Sequence, residues 1–412
     1  MTSQVILANG HGMAIASDSA VTMGHRRTYD TSEKIYPLPQ PHGVAVLHAG
    51  NAMFHRMPYS TIINSWIQSL GDHQLRFLNE YVDSFRKFLV EEVSGWCDIE
   101  QQSADFIENM NYEFQRIHNS MFINGKVVSP EEAESIWDLE LKWVSQREAY
   151  GFGIPFANTI KELINSRDEK FGKIWSKQAN GSDGVSERIE YWFADVPRTS
   201  EIDAKIKEYV MFSTSHLYPF HNQKAALLTF AGYGARSMIP AVNSLELHGA
   251  LNGSILWDWV QDELRYADRS YSGFYLIELI GQDRAIQTFL RGYDSELVET
   301  VKSASSGAFD RKVEATNVGE QVSNNSPSEA DLAAKNKIEE MIEGAFDSFG
   351  ERTNLSSFRA TVSLMPLASL SATAKSLIQI QELSLDSRGE LPTVGGEVRV
   401  GTITKANGFK WV

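Results

Sequence analysis

Three residues near the amino end carry side chains suited to acyl chemistry: Thr2, Asp18 and Lys34, the latter two 16 and 32 residues beyond the first. A threonine hydroxyl attacks an acyl carbon only when a base takes its proton. Thr2 follows Met1 directly and is small enough for the ordinary Met-removing peptidase to act, which would leave a free α-amine beside the hydroxyl. Such an amine titrates at about 7.7–8.0, so it can accept that proton near neutrality, directly or through a water. A positive Lys34 would lower the pKa of hydroxyl and amine, and Asp18 would hold the ammonium in place. Taken singly each has an ordinary use: a start residue, a strand-end carboxylate on turn amides, a solvated lysine after Glu33. Only the combination points to a nucleophile.

The elements that must position these residues are legible from hydrophobic pattern. "SQVILAN" and "GMAIASDS" read as two strands turning at Asn9-Gly10, a pair suited to a tight hairpin. "KIYPL" and "GVAVLHAG" supply two more. "AMFHRMPYSTIINSWIQSL" and "QLRFLNEYVDSFRKFLVEEVSGW" space apolar residues by three and four, the signature of helices lying on an apolar surface. From about 100 to 220 the pattern stays largely helical, broken at "GFGIPF" and "ANGSDG", and reads as an insertion. Strands return at "KAALLTFAGYG" and "SGFYLIELIG", followed by a helix over "QDRAIQTFLRGYDSELVETVKSAS".

Residues 303–333 turn to Ser, Asn, Gly and charge, and "NVGEQVSNNSPSE" reads as a mobile loop inside a second insertion over about 290–355. "AAKNKIEEMIEGAFDSF" and "LMPLASLSATAKSLIQIQELSLD" are further helices. "EVRVGTITKANGFKWV" is a closing hairpin with its turn at Ala406-Asn407-Gly408. Strands, helices, strands, helices, strands in that order predict two sheets packed between helix layers.

The totals narrow the class. A chain of 412 residues buries a large core, as one domain with insertions or as two. A formal charge of -15 disfavours nucleic acid or an anionic membrane as partner. The single cysteine, Cys97, precludes an intrachain disulfide framework and suits a reducing, cytoplasmic setting. The first twenty residues lack the pattern of a secretory signal, and no apolar run reaches the roughly 18 residues of a membrane span.

Together, Thr2, "AIASDSAVTMG" and "SEKIYPL" resemble the amino-terminal nucleophile (Ntn) hydrolases of the proteasome type, the proteasome beta subunits and their bacterial relatives. The resemblance implies a single α+β domain, the four-layer αββα sandwich of two antiparallel sheets, here with large helical insertions. It implies Thr2 as nucleophile with Asp18 and Lys34 beside it. "LHAGNAMF" matches the family's Ala-Gly pair, so the Gly50 N–H would line the oxyanion hole, where one well-aimed donor supplies roughly 3–4 kcal/mol. Thr22 matches a position whose backbone pairs with bound peptide as an added strand. His48 departs from the small or apolar residue near the first specificity pocket; it would favour a polar or acidic substrate side chain, or bind a backbone carbonyl under the sheet.

The carboxyl half matches less closely. "ELIGQDRAIQTFL" resembles the strand, glycine turn and helix that carry a supporting serine, but Gln282 follows Gly281; its amide would donate to Thr2 without relaying a proton. "TVGGEVRVGTIT" resembles a Ser-Gly-Gly strand entry with Val394 in place of the serine, and Asp386 is the nearest upstream aspartate. The implied activity is amide-bond hydrolysis, a threonine peptidase, with no metal or organic cofactor. Peptide or a small acyl amide is the implied substrate, and homo-oligomerisation, with an ATPase unfoldase as a further partner, is the implied assembly. The missing hydroxyls keep open an inactive structural or assembly subunit on the same fold.

Overall fold

The computed structural model describes residues 2–23, 26–29, 32–93, 96, 110–111, 113–123, 125–148, 185–215, 225–251, 254–259, 265–266, 268–270, 273–317, 329–387 and 393–412. The broken stretches "GFGIPF" and "ANGSDG", Cys97, and residues 318–328 of the expected loop lie outside them. The chain is mixed α and β, with antiparallel sheets and helices, and divides into two compact units.

The first unit comprises residues 1–34, 237–241 and 266–412. At its centre β1 (Ser3–Asn9) and β2 (Gly12–Ser17) form the expected hairpin, although the turn is Gly10-His11, since Asn9 still pairs with Gly12. Asn9 is held in the ladder because its side chain has other work. Its Nδ2 donates to the Val362 and Met365 carbonyls at 2.8 and 2.7 Å, capping the end of the Ser356–Leu364 helix. β1 pairs with Gly273–Gly281, and β2 with Arg399–Thr404, which turns back through Gly408–Trp411; Asp268–Ser270 completes a six-stranded antiparallel sheet.

Alternation along β1 and β2 explains the packing. Val5, Leu7, Ala14 and Ala16 face Val362, Leu370, Ala374, Leu377 and Ile378 of two covering helices, Ser356–Leu364 and Leu367–Ser387. Ile6, Ala8, Met13 and Ile15, on the opposite face, are also fully buried. With both faces dry, these strands read as continuous apolar runs.

The polar stretch 303–333 is helical at both ends, in Ser295–Asn317 and Glu329–Gly350, while the expected loop "NVGEQVSNNSPSE" lies almost wholly outside the described residues. The two helices pack on each other, Ser306 Oγ donating to Glu339 at 2.7 Å and Lys302 pairing with Glu343.

The second unit comprises residues 35–236 and 242–265. Its sheet follows the order Ser254–Trp259, Ala241–Leu251, Ala226–Tyr233, Gly43–Gly50, Ile35–Pro37. The first two of these strands were not legible as such, although "AVNSLELHGAL" alternates buried Leu245 and Leu247 with polar Ser244 and Glu246. The expected helix from Ala52 starts later, at Tyr59, because a tight Met53–Phe54/Met57–Pro58 hairpin precedes it, with His55 and Arg56 at positive φ. Trp66 and Phe85 of the two following helices meet Phe230 of the sheet, all three buried with ring centroids 5.2–5.7 Å apart. A separate helical cluster around Phe114, Trp137, Phe193 and Tyr209 forms its own apolar core within residues 110–210.

Candidate functional site

The site is built around one peptide unit. Thr2 immediately precedes β1 and is 8% exposed. Its carbonyl accepts the Gln282 backbone N–H at 2.7 Å. The N–H of the same peptide, from Ser3, donates to Asp18 Oδ1 at 2.9 Å. A peptide is planar, so gripping its C=O and N–H from opposite sides fixes the plane to which the Thr2 Cα is attached.

Each grip follows from local sequence. Ser3 pairs with Gly281 in the ladder, and Gly281 has φ +80; a Cβ there would stand 2.1 Å from the Thr2 carbonyl oxygen. Glycine is thus required for Gln282 to reach Thr2. Asp18 follows the last residue of β2, where the hairpin register brings it back beside Ser3; its N–H donates to the Ser3 carbonyl at 3.2 Å.

Asp18 also binds Lys34. The ammonium stands 2.8 Å from Asp18 Oδ1, and both side chains are withdrawn from water. Gly395 N–H lies 3.5 Å from Asp18 Oδ2, and the Gly395 carbonyl accepts Ser19 and Ala20 N–H at 3.2 and 2.9 Å. Gln4 Nε2 donates to the Lys34 carbonyl at 3.4 Å. Burial pushes the Asp18 carboxyl above its ordinary value, against the opposing pull of Lys34 and of the Ser3 and Gly395 donors. Burial likewise lowers Lys34, opposed by the Asp18 charge.

Of the other predicted residues, Gln282 is partly buried, its backbone at Thr2 and its Oε1 accepting from Thr393 Oγ1 at 2.8 Å. Asp386 is exposed at the end of the Leu367–Ser387 helix, away from any role visible in this hydrogen-bond network. Thr22 pairs with Arg27 in a short Val21–Met23/Arg26–Tyr29 hairpin. Gly50 and His48 belong to the second unit, on the strand Gly43–Gly50. Gly50 has φ +82 and pairs with Ala226. His48 Nε2 lies 2.7 Å from the Asn51 carbonyl, so that nitrogen carries the proton and donates, and the ring packs on Tyr59 with centroids 5.1 Å apart.

Thr393 was missed by sequence reasoning. It sits one position before Val394 in "TVGG", so a hydroxyl at the strand entry was present in the sequence, displaced by one residue. Ser3, Gly281 and Gly395 were missed as well, because backbone donors and glycines leave no chemical signature of their own in a sequence.

Among the described residues, no group of three His, Cys, Asp or Glu side chains is disposed to hold a metal, and no helix is long and apolar enough to cross a membrane. No family model and no curated protein matches this chain. The chemistry must therefore be argued from the cluster itself.

Proposed function

We propose that this protein is an amide-bond hydrolase, a threonine peptidase, whose nucleophile is Thr2 after removal of Met1. The observation that carries the reading is the buried Asp18 carboxylate, which binds the Lys34 ammonium and the Ser3 N–H at once, next door to Thr2. In this reading the Thr2 α-amine takes the proton of its own hydroxyl as Oγ forms a bond to the substrate acyl carbon. The proton then goes to the leaving amine as the amide bond breaks, and water clears the resulting ester with return of the hydroxyl hydrogen. Lys34 supplies positive charge that favours the reactive forms of hydroxyl and amine, and Asp18 holds Lys34 and the Thr2–Ser3 peptide in register.

The four-layer αββα sandwich is part of the same proposal. It is supported by covering helices on each unit's sheet and by the complete burial of both faces of β1 and β2. A peptide chain or a small acyl amide is the substrate class. A second reading, an inactive structural subunit, is favoured by one observation: positions 282 and 394 carry Gln and Val where the resemblance calls for hydroxyls.

Intact-protein mass separates the two. The protein is measured as purified and after exposure to a Thr-directed epoxyketone or β-lactone, with Thr2→Ala as control. Loss of Met1 and a single adduct, absent in the variant, are expected. A chain that retains Met1, or a processed chain inert to both probes, would favour the structural subunit.

A further inference from the structure

Gln282 joins the amino end to the carboxyl-terminal segment. Its backbone N–H donates to the Thr2 carbonyl, and its side-chain Oε1 accepts from Thr393 Oγ1. Two residues on, Gly395 N–H approaches Asp18 Oδ2. The short segment 393–395 therefore touches both grips on the Thr2–Ser3 peptide: Thr393 reaches the carbonyl side through Gln282, and Gly395 reaches the amide side through Asp18. Thr393 is buried, where a hydroxyl without a partner would be costly, so the bond to Gln282 also satisfies it.

We propose that Thr393 is a positioning residue for the amino-terminal nucleophile, acting through Gln282; this rests on the proposed role of Thr2. A glutamine side chain has several freely rotating torsions, and anchoring its carbonyl on a buried hydroxyl selects one arrangement. That anchor restrains residue 282, whose N–H is the donor to Thr2, in a turn otherwise governed by Gly281 with its permissive φ. The chain thus holds its nucleophile with a Thr-Gln pair, in a sequence that offers no hydroxyl at 282 or 394. Thr393 touches no reacting atom in this scheme; it fixes where the Thr2 backbone stands when the hydroxyl attacks.

The test is the rate at which Thr2 is labelled by a β-lactone, followed by intact mass in the full-length protein, with melting temperature recorded for every variant. Thr393→Val keeps the shape, removes the hydroxyl and should slow labelling about tenfold, the rate equivalent of one hydrogen bond. Thr393→Ser restores the hydroxyl and should recover labelling to within about threefold of the original rate. Gln282→Leu combined with Thr393→Val should be no slower than Gln282→Leu alone, since both remove the same bond. Labelling of Thr393→Val at the original rate, failure of Ser to restore it, or effects that multiply in the double variant would overturn the inference while leaving Thr2 as nucleophile. Should Thr393→Val not fold, Gln282→Leu breaks the bond from the other side, and an undiminished rate there overturns it equally. An unmodified wild-type protein would instead remove the reading of Thr2 itself, and this inference with it.

Discussion

Lys34 and Asp18 form an ion pair 2.8 Å long with almost no exposure to solvent on either side. Such a pair stabilises the fold little in itself, because desolvation offsets most of the attraction, but removing one partner strands the other charge. Asp18→Asn or Lys34→Met should therefore each cost about 3–5 kcal/mol. The double variant should cost clearly less than the sum, because neither charge is then left behind. Urea unfolding of the four proteins measures this; additive losses would show that the two side chains do not act as a pair.

Gly281 ends the Gly273–Gly281 strand opposite Ser3, where the chain turns to deliver Gln282. At φ +80, with the Thr2 carbonyl oxygen 2.1 Å from where a Cβ would be, Gly281→Ala must push Thr2 away or reshape the turn. The expected cost is about 1–3 kcal/mol from backbone strain alone. The Gln282–Thr2 hydrogen bond should weaken with it, so amide exchange at Gln282 should speed by tenfold or more relative to neighbouring strand amides, about the loss of one such bond. An unchanged exchange rate would contradict the close approach.

How much of this was legible depended on what kind of atom carries each role. Thr2, Asp18 and Lys34 stood out only by residue type, order and interval together, and the structure brings the Asp18 and Lys34 side chains into contact beside the Thr2–Ser3 peptide. The hairpin that joins Thr2 to Asp18 was readable because Asn9-Gly10 and a run of small and β-branched residues leave few alternatives, although the turn moved one residue when the Asn9 side chain was taken up by Val362 and Met365. What escaped was carried by backbone: the Ser3 and Gly395 amides and the space left by Gly281. The strand Ala241–Leu251 escaped for another reason. Its alternation is interrupted at His248 by a bulge, which breaks the period of two that would have identified it.

Gly50 ends the strand Gly43–Gly50 with φ +82, and a Cβ there would lie 2.3 Å from the Ala225 carbonyl oxygen. That same carbonyl accepts the Asn51 N–H at 3.0 Å, so the strand end cannot shift without breaking a bond. Gly50→Ala should lower stability by about 1–3 kcal/mol, the range for a residue forced into a sparsely populated backbone region. Thermal unfolding checks it, and a melting temperature equal to that of the parent would refute the strain.

His248 occupies the bulge between Leu247 and Gly249, its ring 1% exposed and neither ring nitrogen hydrogen-bonded. A carboxylate oxygen of Glu246 is 3.7 Å from Nε2, and burial lowers the histidine pKa to about 4. The unfolded chain, with its ordinary value near 6.5, binds a proton between these limits that the folded chain refuses. Stability is therefore full above pH 6.5 and falls as pH drops toward 4, by about 3 kcal/mol across that window. His248→Phe, similar in volume and unable to titrate, should hold its stability better over the same range while matching or exceeding the parent at pH 7. Urea unfolding at pH 7, 6, 5 and 4 gives the comparison, and parallel losses in the two proteins would mean that His248 is not the group that binds the proton.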